Sequence, residues 1–315
     1  MTMNNGTPRK PKALAAGSRL AVFAPASPAP SVEMIAGLAE LKRHGFQVVS
    51  NQDTKAEGYF AGPPLERKNG FVGPLNSEEV DGLVALRGGY GSNYLLDLEL
   101  EKELAKCKCV VGFSDLTTLQ IFLWQKFDWV TFYGPMVAAG LNAGAGSRKG
   151  YDEASFLQAT GKTESGWKVR LKGEAVLAGQ AIGRVLGGCM TLLEATIGTQ
   201  WELDTKDALL VLEDRAMKPY QVDRVLMHLK QAGKFEGVRG IVLGDFPESE
   251  PTVAGAPTVR EVCARILRPL GVPIVYGAPI GHTVRPMLTI PLGVNARLDA
   301  DGEGTLEFLE PAVAA

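Results

Sequence analysis

Short apolar runs that alternate with helical patterns fill the first half of the chain. Leu20–Ala24 is an apolar run closed by Pro25, and it predicts a β-strand. The following segment, Val32–His44, has apolar residues three or four positions apart and predicts a helix that ends at Gly45. Further apolar runs predict strands at Phe46–Val49, Val80–Leu86 and Cys109–Phe113. This alternation predicts an α/β domain with a mainly parallel sheet.

The second half of the chain has strand-like runs that are separated mostly by loops. These runs are Ala208–Leu212, Val238–Leu243, Pro273–Tyr276 and Thr289–Leu292. One amphipathic helix is indicated between the first two runs by apolar residues at Val222, Val225, Leu226 and Leu229. We therefore predict a smaller, β-rich C-terminal domain with few helices.

A change in composition separates the two halves. Between Asn142 and Gly173 the chain is rich in Gly, Ser, Lys, Glu and Thr without a sustained period, although Tyr151–Leu157 is compatible with a short helix. The 315 residues exceed the length at which single hydrophobic cores usually stop growing. We predict an N-terminal α/β domain over residues 1–145, a linker over 146–174 and a C-terminal domain over 175–315.

Composition and charge exclude several classes of protein. Hydrophobic residues make up 45% and charged residues 22%, as in ordinary globular proteins and unlike disordered chains. The 33 Lys and Arg residues balance 35 Asp and Glu residues without a run of like charges, so we expect no nucleic-acid partner. Lys12 and Arg19 interrupt any signal-peptide core, and Gly134-Pro135 breaks the longest uncharged stretch. We expect no membrane partner and a cytoplasmic protein.

The cysteines do not form a metal or disulfide pattern. Cys107, Cys109, Cys189 and Cys263 are too few and too unevenly spaced for either framework, and they fit a reducing compartment. The Cys107-x-Cys109 pair has no cluster of His or acidic residues nearby in the sequence. We expect neither a metal nor a cofactor.

Two reactive side chains follow predicted strands, where open α/β sheets place their ligands. Ser114 comes directly after Cys109–Phe113 and before a helical segment, so it is either a nucleophile on a tight turn or a helix N-cap. His282 lies in a glycine-bounded loop after Pro273–Tyr276, as a general base or as a loop histidine bonded to a carbonyl group. The other histidines are explained by a helix end, for His44, and by the amphipathic helix, for His228.

A pair of carboxylates and a glycine loop complete the candidate chemistry. Glu213 and Asp214 end a strongly apolar strand, and alternation along the strand allows only one of them to reach a shared site with His282. Local physics does not choose between them, and either is also compatible with capping a helix. The segment Arg87–Ser92, Arg-Gly-Gly-Tyr-Gly-Ser, is either an anion-binding loop or a tight turn without a ligand. Its spacing is not that of a nucleotide-binding loop.

In this order, these segments resemble the LD-carboxypeptidase family of serine peptidases, which includes muramoyltetrapeptide carboxypeptidases and microcin C self-immunity hydrolases. The resemblance spans nearly the whole chain and rests on Ala24–Ser27, Gly58–Gly62, Arg87–Gly91, Gly112–Asp115, Gly134-Pro135, Gly187-Gly188, Ile197–Thr199, Leu212–Asp214, Pro219-Tyr220, Asp223-Arg224, Gly244–Phe246, Gly281-His282 and Pro291–Gly293. The chain departs from the family at Cys189 and near Met287, where asparagine is common.

The resemblance implies roles for particular residues. Ser114 would be the nucleophile, His282 the general base and Glu213, rather than Asp214, the acid that orients it. The oxyanion hole would be formed by the backbone N–H groups of Asp115 and Gly89. Apart from the resemblance, we predict that Arg87, Gly88 and Tyr90 bind substrate, with Arg87 and the helix start after Gly91 as candidates to hold a terminal carboxylate.

The resemblance also implies an N-terminal domain that carries the serine, a C-terminal domain that carries the acid and histidine, and a homodimer. The implied activity removes the terminal D-alanine from a small peptide, a murein tetrapeptide, during cell-wall recycling. One alternative is a hydrolase of the same fold that confers self-immunity by cleaving aminoacyl-nucleotide antibiotics. Another is a non-catalytic module that binds murein peptides, which would have no need for a serine, an acid and a histidine together.

Overall fold

The computed structural model describes residues 7–51 and 55–314. The strands are β1 (Arg19–Phe23), β2 (Gln47–Asn51), β3 (Gly82–Ala85), β4 (Cys109–Gly112), β5 (Thr131–Tyr133), β6 (Trp167–Arg170), β7 (Glu174–Leu177), β8 (Gln180–Cys189), β9 (Ala208–Glu213), β10 (Gly240–Gly244), β11 (Ile274–Ala278), β12 (Ile290–Leu292), β13 (Asn295–Asp299) and β14 (Thr305–Phe308). The α-helices are α1 (Ser31–Arg43), α2 (Pro64–Asn76), α3 (Asn93–Leu96), α4 (Thr117–Phe127), α5 (Glu153–Thr160), α6 (Met190–Thr196), α7 (Pro219–Gln231) and α8 (Val259–Leu267).

The chain divides into two compact units. The first extends to Thr163 and also includes Arg285–Gly293 and the segment from Pro311, whereas the second comprises Glu164–Val284 and Val294–Glu310. The predicted linker, residues 146–174, contains helix α5 and strand β6 instead of an unstructured connection. Helix α5 overlaps the segment Tyr151–Leu157, which is compatible with a short helix by its sequence, and Asp152 caps it by accepting a hydrogen bond from the Ser155 N–H at 2.9 Å.

The first unit is built around a six-stranded sheet of order β12-β5-β4-β3-β1-β2. Strands β1 to β5 pair in parallel, and β12 pairs with β5 in the antiparallel direction. All residues of β3, β4 and β5 are buried, as expected for continuous apolar runs in a sheet covered on both faces. The predicted mainly parallel α/β sheet is confirmed.

The second unit is built around an eight-stranded mixed sheet of order β6-β14-β13-β8-β9-β10-β11-β7. Its neighbouring strands β8 to β11 pair in parallel, and the remaining pairs are antiparallel. Helix α7 contains the predicted amphipathic segment. Helix α8 was not predicted, although Thr258 and Glu261 form a capping box directly before its apolar face.

Strand β12 corrects the assignment of one predicted strand. The apolar run Thr289–Leu292 was placed in the C-terminal domain, but Ile290–Leu292 pairs with Thr131–Tyr133 in the sheet of the first unit. Without β12, strand β5 would lie at the edge of the sheet. An apolar edge strand needs a partner strand, and the partner of β5 comes from a distant part of the chain. None of the helices in the described ranges has the length and apolarity needed to cross a membrane.

Candidate active site

Ser114 occupies a strained turn between β4 and α4. It begins a 3₁₀ turn, Ser114–Leu116, that continues into the helix, and its φ is +63°, in the left-handed region. A non-glycine residue pays about 1–2 kcal/mol for that conformation. Its N–H donates to the Tyr133 hydroxyl at 3.3 Å. This is the backbone geometry of a strand-to-helix turn that presents a nucleophile.

The N-cap alternative for Ser114 does not match this geometry. The capping position of the 3₁₀ turn is Phe113 and that of α4 is Leu116, and neither makes a capping hydrogen bond through its side chain. Ser114 is half-buried. Its hydroxyl is therefore placed by a turn that its own side chain does not cap.

The glycine loop packs directly on the serine. A Cβ atom added at Gly88 would lie 2.9 Å from the Ser114 Cβ and 3.0 Å from its Oγ. On the other side of the turn, a Cβ atom at Gly112 would lie 2.3 Å from a methyl carbon of Leu116. Both approaches require glycine, because real Cβ atoms do not come so close to other atoms.

The predicted oxyanion donors are next in the chain to Ser114 itself and to the glycine that packs on it. Gly89 follows the glycine that packs on the serine, and Asp115 is the next residue after it. Among the described residues, neither the Gly89 N–H nor the Asp115 N–H has a hydrogen-bond acceptor. Backbone N–H groups at the start of a helix have no acceptor within the helix, which leaves them available to an anion.

The carboxyl group of Asp115 holds the other end of the glycine loop. It is 1% exposed and accepts a hydrogen bond from the Ser92 N–H at 2.8 Å. Burial raises the pKa of Asp115, and the hydrogen bonds from Ser92 and the charge of Arg67 oppose this rise without cancelling it. The side chain of Asp115 therefore has a structural partner, while its backbone N–H has no acceptor in the described ranges.

The predicted substrate-binding side chains lie on the exposed part of the same loop. The Arg87 guanidinium donates to the Pro28 carbonyl at 3.3 Å and is otherwise exposed. Tyr90 is 41% exposed, and its ring contacts those of Tyr59, Phe60 and Tyr94. These groups form an exposed aromatic surface next to the glycine that packs on Ser114.

The second unit brings together the predicted acid and base. Glu213 is fully buried at the end of β9, and its Oε2 accepts from the backbone N–H and from Nδ1 of His282, each at 2.9 Å. Because a carboxylate only accepts hydrogen bonds, Nδ1 carries a proton and Nε2 of the neutral ring is left as an acceptor. The pair has the tautomer that a general base requires.

The parallel order β9-β10-β11 explains why this pair forms. Glu213 ends β9 and His282 lies in the loop after β11, so their side chains meet at the same edge of the sheet across β10. Glycines on both sides make room, because a Cβ atom at Gly244 or Gly281 would lie within 2.5 Å of Glu213 atoms. Backbone therefore packs on the stem of Glu213 at Gly244 and on its carboxylate at Gly281.

The pKa of His282 reflects two opposing effects. Burial favours the neutral imidazole and lowers the pKa, whereas the charge of Glu213 and its hydrogen bond raise it. The carboxylate has the larger combined effect, so the pKa of His282 lies above its ordinary value. The Glu213 carboxylate therefore favours the protonated form of the His282 ring.

Asp214 points away from this pair. Its carboxylate accepts from the N–H and the hydroxyl of Thr191 at 2.9 and 2.7 Å, and from the N–H of Arg215 at 2.8 Å. The thiol of Cys189 lies 3.5 Å from the same carboxylate, and burial raises the pKa of that thiol well above its ordinary value. Asp214 thus anchors the start of α6, and Glu213 is the carboxylate beside His282.

The remaining histidines have other partners. His228 lies 2.9 Å from Glu194 on the exposed side of α7, and His44 is hydrogen-bonded to the Tyr151 hydroxyl at the end of α1. In the described part of the chain, His, Cys, Asp and Glu residues form no group of three that could hold a metal ion.

Two residues near the serine were missed by the sequence reasoning about the site. The Tyr133 hydroxyl supports the Ser114 backbone, and Ser27 bonds to the glycine loop through its N–H to the Gly88 carbonyl at 3.2 Å. Tyr133 directly precedes the motif Gly134-Pro135, and Ser27 ends the motif Ala24–Ser27. Neither has a spacing that indicates a role, because the contacts join different strand ends of the sheet.

Comparison with known families matches both halves of the chain. Residues 20–134 match the LD-carboxypeptidase N-terminal domain and residues 182–298 match the LD-carboxypeptidase C-terminal domain. A putative carboxypeptidase of Streptomyces coelicolor is 35% identical over 96% of this chain and 97% of its own length. A probable murein peptide carboxypeptidase of Bacillus subtilis is 32% identical over 92% of this chain and 91% of its own.

Solved structures have the same fold. The muramoyltetrapeptide carboxypeptidase from Oxalobacter formigenes superposes with a TM-score of 0.79 at 28% identity, over 92% of this chain and 98% of that one. The microcin C7 self-immunity protein, in complex with glutamyl sulfamoyl guanosine, gives a TM-score of 0.86 at 24% identity, over 98% of this chain and 100% of that one. At that identity, the second match establishes the fold alone.

Proposed function

The chain belongs to the LD-carboxypeptidase family, and on this premise we propose that it is a serine-type hydrolase with Ser114 as its nucleophile. The observation that carries the proposal is the buried hydrogen bond from His282 Nδ1 to Glu213, which leaves Nε2 as a base. A histidine held in that tautomer by an enclosed carboxylate is the arrangement that activates a serine hydroxyl.

In the proposed mechanism, His282 Nε2 accepts the hydroxyl proton as Ser114 Oγ attacks the carbonyl carbon of the scissile amide. Glu213 stabilises the imidazolium, and the N–H groups of Gly89 and Asp115 donate to the oxyanion. The imidazolium then protonates the leaving amine. Water, deprotonated by the same ring, releases the acyl group from the serine.

The proposed substrate is a murein tetrapeptide, cleaved at the bond between an L-centre and its terminal D-alanine. The relatives from Bacillus subtilis and Oxalobacter formigenes, named for murein peptides and muramoyltetrapeptides, support this choice. Arg87 is the candidate partner for the terminal carboxylate because its guanidinium is exposed near the glycine loop. A cytoplasmic homodimer that acts in peptidoglycan recycling is part of the same proposal.

The decisive experiment is incubation of the purified protein with a defined LD-tetrapeptide, followed by mass spectrometry for free D-alanine. We expect release by the wild type and none above background by Ser114→Ala. An aminoacyl sulfamoyl adenylate is assayed in parallel, because turnover of that compound alone would favour a self-immunity hydrolase. Binding of the tetrapeptide without any product would favour a binding module and contradict the proposal.

A further inference from the structure

Arg67 is a buried arginine whose guanidinium joins three separate loops. It lies on α2, is 0% exposed, and donates through Nε to the Gly62 carbonyl at 3.0 Å. Its Nη1 donates to the Gly91 carbonyl at 2.7 Å and also to the Pro25 carbonyl. One side chain thereby bonds the loop after β1, the segment before α2 and the glycine loop after β3.

Two of these loops are also bonded to each other, and one of them packs on Ser114. The Ser27 hydroxyl accepts from the Tyr90 N–H at 3.3 Å, and the Ser27 N–H donates to the Gly88 carbonyl at 3.2 Å. Gly88 is the residue that packs on Ser114. Arg67 therefore fixes the far end of the glycine loop and the loop that supports its near end.

The glycine loop also packs tightly against the Arg67 guanidinium. Gly91 has a φ of +136°, and a Cβ atom added there would lie 2.7 Å from Arg67 Nη1 and 2.8 Å from the ring of Phe60. The Phe60 ring covers the guanidinium, with 4.7 Å between the Arg67 Cζ and the ring centroid. Neither a side chain at position 91 nor water separates the loop from Arg67.

A purely stabilising role does not explain this burial well. Buried charged groups are usually fully hydrogen-bonded, yet Arg67 Nη2 has no partner among the described residues. The carbonyls that the side chain does reach lie on loops of different origin, which only a planar fork with several N–H donors can bond together. The hydrogen bonds of Arg67 instead fix the position of the glycine loop.

We propose that Arg67 is a positioning residue, which holds the Gly88–Gly91 loop so that the Gly89 N–H stays beside Ser114 when the oxyanion forms. The inference rests on the proposed hydrolase function. Between Gly88 and Ser92, four of the five residues are fixed, by Ser27, by Arg67 or by Asp115, and Gly89 alone has no hydrogen-bond partner among the described residues. The direction of the Gly89 N–H therefore depends on the positions of its hydrogen-bonded neighbours.

The test compares Arg67→Met with Lys68→Met in steady-state kinetics on the LD-tetrapeptide. Lys68 is a matched control, because it is a 7% exposed cation on the same helix that bonds the Leu98 carbonyl at 2.8 Å and the Glu103 carboxylate, away from the glycine loop. We expect Arg67→Met to lower kcat about 100-fold, as for loss of one oxyanion donor, with KM changed less than about threefold. Lys68→Met should keep kcat within about threefold of wild type.

A second measurement separates positioning from general damage. A phosphonate analogue of the tetrapeptide mimics the tetrahedral oxyanion, whereas the planar carboxylate of the tripeptide product mimics it poorly, so the analogue reports much more strongly on the oxyanion donors. Arg67→Met should weaken binding of the phosphonate about as much as it lowers kcat/KM and should leave product binding within about threefold. Equal weakening of both ligands would overturn the proposal.

Arg67→Lys provides the test if the methionine variant does not fold. It keeps the charge but not the fork, and we expect a kcat between those of wild type and Arg67→Met with the same selective loss of phosphonate binding. Wild-type kcat in Arg67→Lys, or the same kcat loss in Lys68→Met as in Arg67→Met, would contradict the positioning role while leaving the hydrolase intact. A wild type that releases no D-alanine would instead overturn the proposed function, and the positioning role with it.

Discussion

Ser114 in the first unit and His282 in the second are held in place by different physical means. The serine depends on backbone shape, with a φ of +63° and a glycine packed against its side chain. The histidine depends on charge, through a fully buried carboxylate that accepts two of its hydrogen bonds. Substitutions that add volume beside Ser114 should therefore lower the activity. Substitutions that remove the charge beside His282 should lower it as well.

The largest effects are expected from removing either reactive group. Ser114→Ala and His282→Ala should each lower kcat by about 10⁴- to 10⁶-fold, and the double variant should lose little more, because such residues act as a unit. Steady-state assays of D-alanine release measure all three proteins. Additive losses, with the double variant far below either single one, would show that the two groups work independently.

Removing the charge of Glu213 should have the next largest effect. Glu213→Gln should lower kcat by about 10⁴-fold, because an amide can donate to Nδ1 and so favour the wrong tautomer of His282. Asp214→Asn is the matched control, since Asp214 bonds Thr191 and Arg215 instead of His282. Asp214→Asn should lower kcat less than about tenfold. Comparable losses of kcat in both variants would mean that the charge of Glu213 matters no more to the reaction than that of Asp214.

Adding a methyl group beside Ser114 tests whether the serine depends on close backbone packing. Gly88→Ala should lower kcat by about 10²- to 10³-fold, because its methyl group would lie 3.0 Å from Ser114 Oγ and displace the loop that carries Gly89. Gly73→Ala is the control, because nothing lies within 4 Å of a Cβ atom at that helical position. It should leave kcat unchanged. Normal activity in Gly88→Ala would show that the serine does not depend on close backbone packing.

The pH dependence should follow the charge of Glu213. Because the pKa of His282 is raised, kcat/KM should rise with pH through a pKa above 6.5, where the imidazole becomes neutral. Protonation of His282 also stabilises the folded state. This contribution to the free energy of unfolding is present at pH values below the unfolded-state pKa and is lost as the pH rises through the folded-state pKa. In Glu213→Gln the acidic limb should move to lower pH, since burial then acts without the opposing charge. A pH–rate profile of each protein measures the shift, and an unmoved limb would assign it to another group.

The smallest effect is expected at a histidine outside both arrangements. His228 lies 2.9 Å from Glu194 on the surface, with side chains 49% and 27% exposed, so this contact is solvated. His228→Gln should change the free energy of unfolding by less than about 1 kcal/mol and leave kcat unchanged. Denaturant unfolding and the D-alanine assay check the two parts. A large loss of activity would mean that His228, too, has a part in the reaction.

The sequence was most informative where local pattern decides the structure. Apolar runs such as Cys109–Phe113 predicted buried parallel strands, and alternation predicted that Glu213 and Asp214 face opposite ways. Choosing between the two needed the neighbour order of β9, β10 and β11, which no local pattern contains. The resemblance supplied that choice, and the position of His282 beside Glu213 agrees with it.

Long-range pairing accounts for most of what the sequence did not predict. The Gly- and Ser-rich stretch around residue 150 suggested a linker, but the Asp152 N–H donates to the Met287 carbonyl at 2.8 Å and so ties it to a distant segment. The loops joined by Arg67 come from three places in the chain, and a lone arginine in a helix gives no sign of such contacts. For α8 a local signal did exist, in Thr258 and Glu261.

The late return of the chain to the first sheet has a consequence for biosynthesis. Strand β12 pairs with β5, so the edge of that sheet stays open until the ribosome has added more than 150 further residues after Tyr133. An open strand edge is a template for pairing with other chains. The nascent N-terminal half therefore has a period of exposure to aggregation or chaperone binding that ends only after β12 has been synthesised, and a fragment cut at Thr163 would retain that exposure permanently.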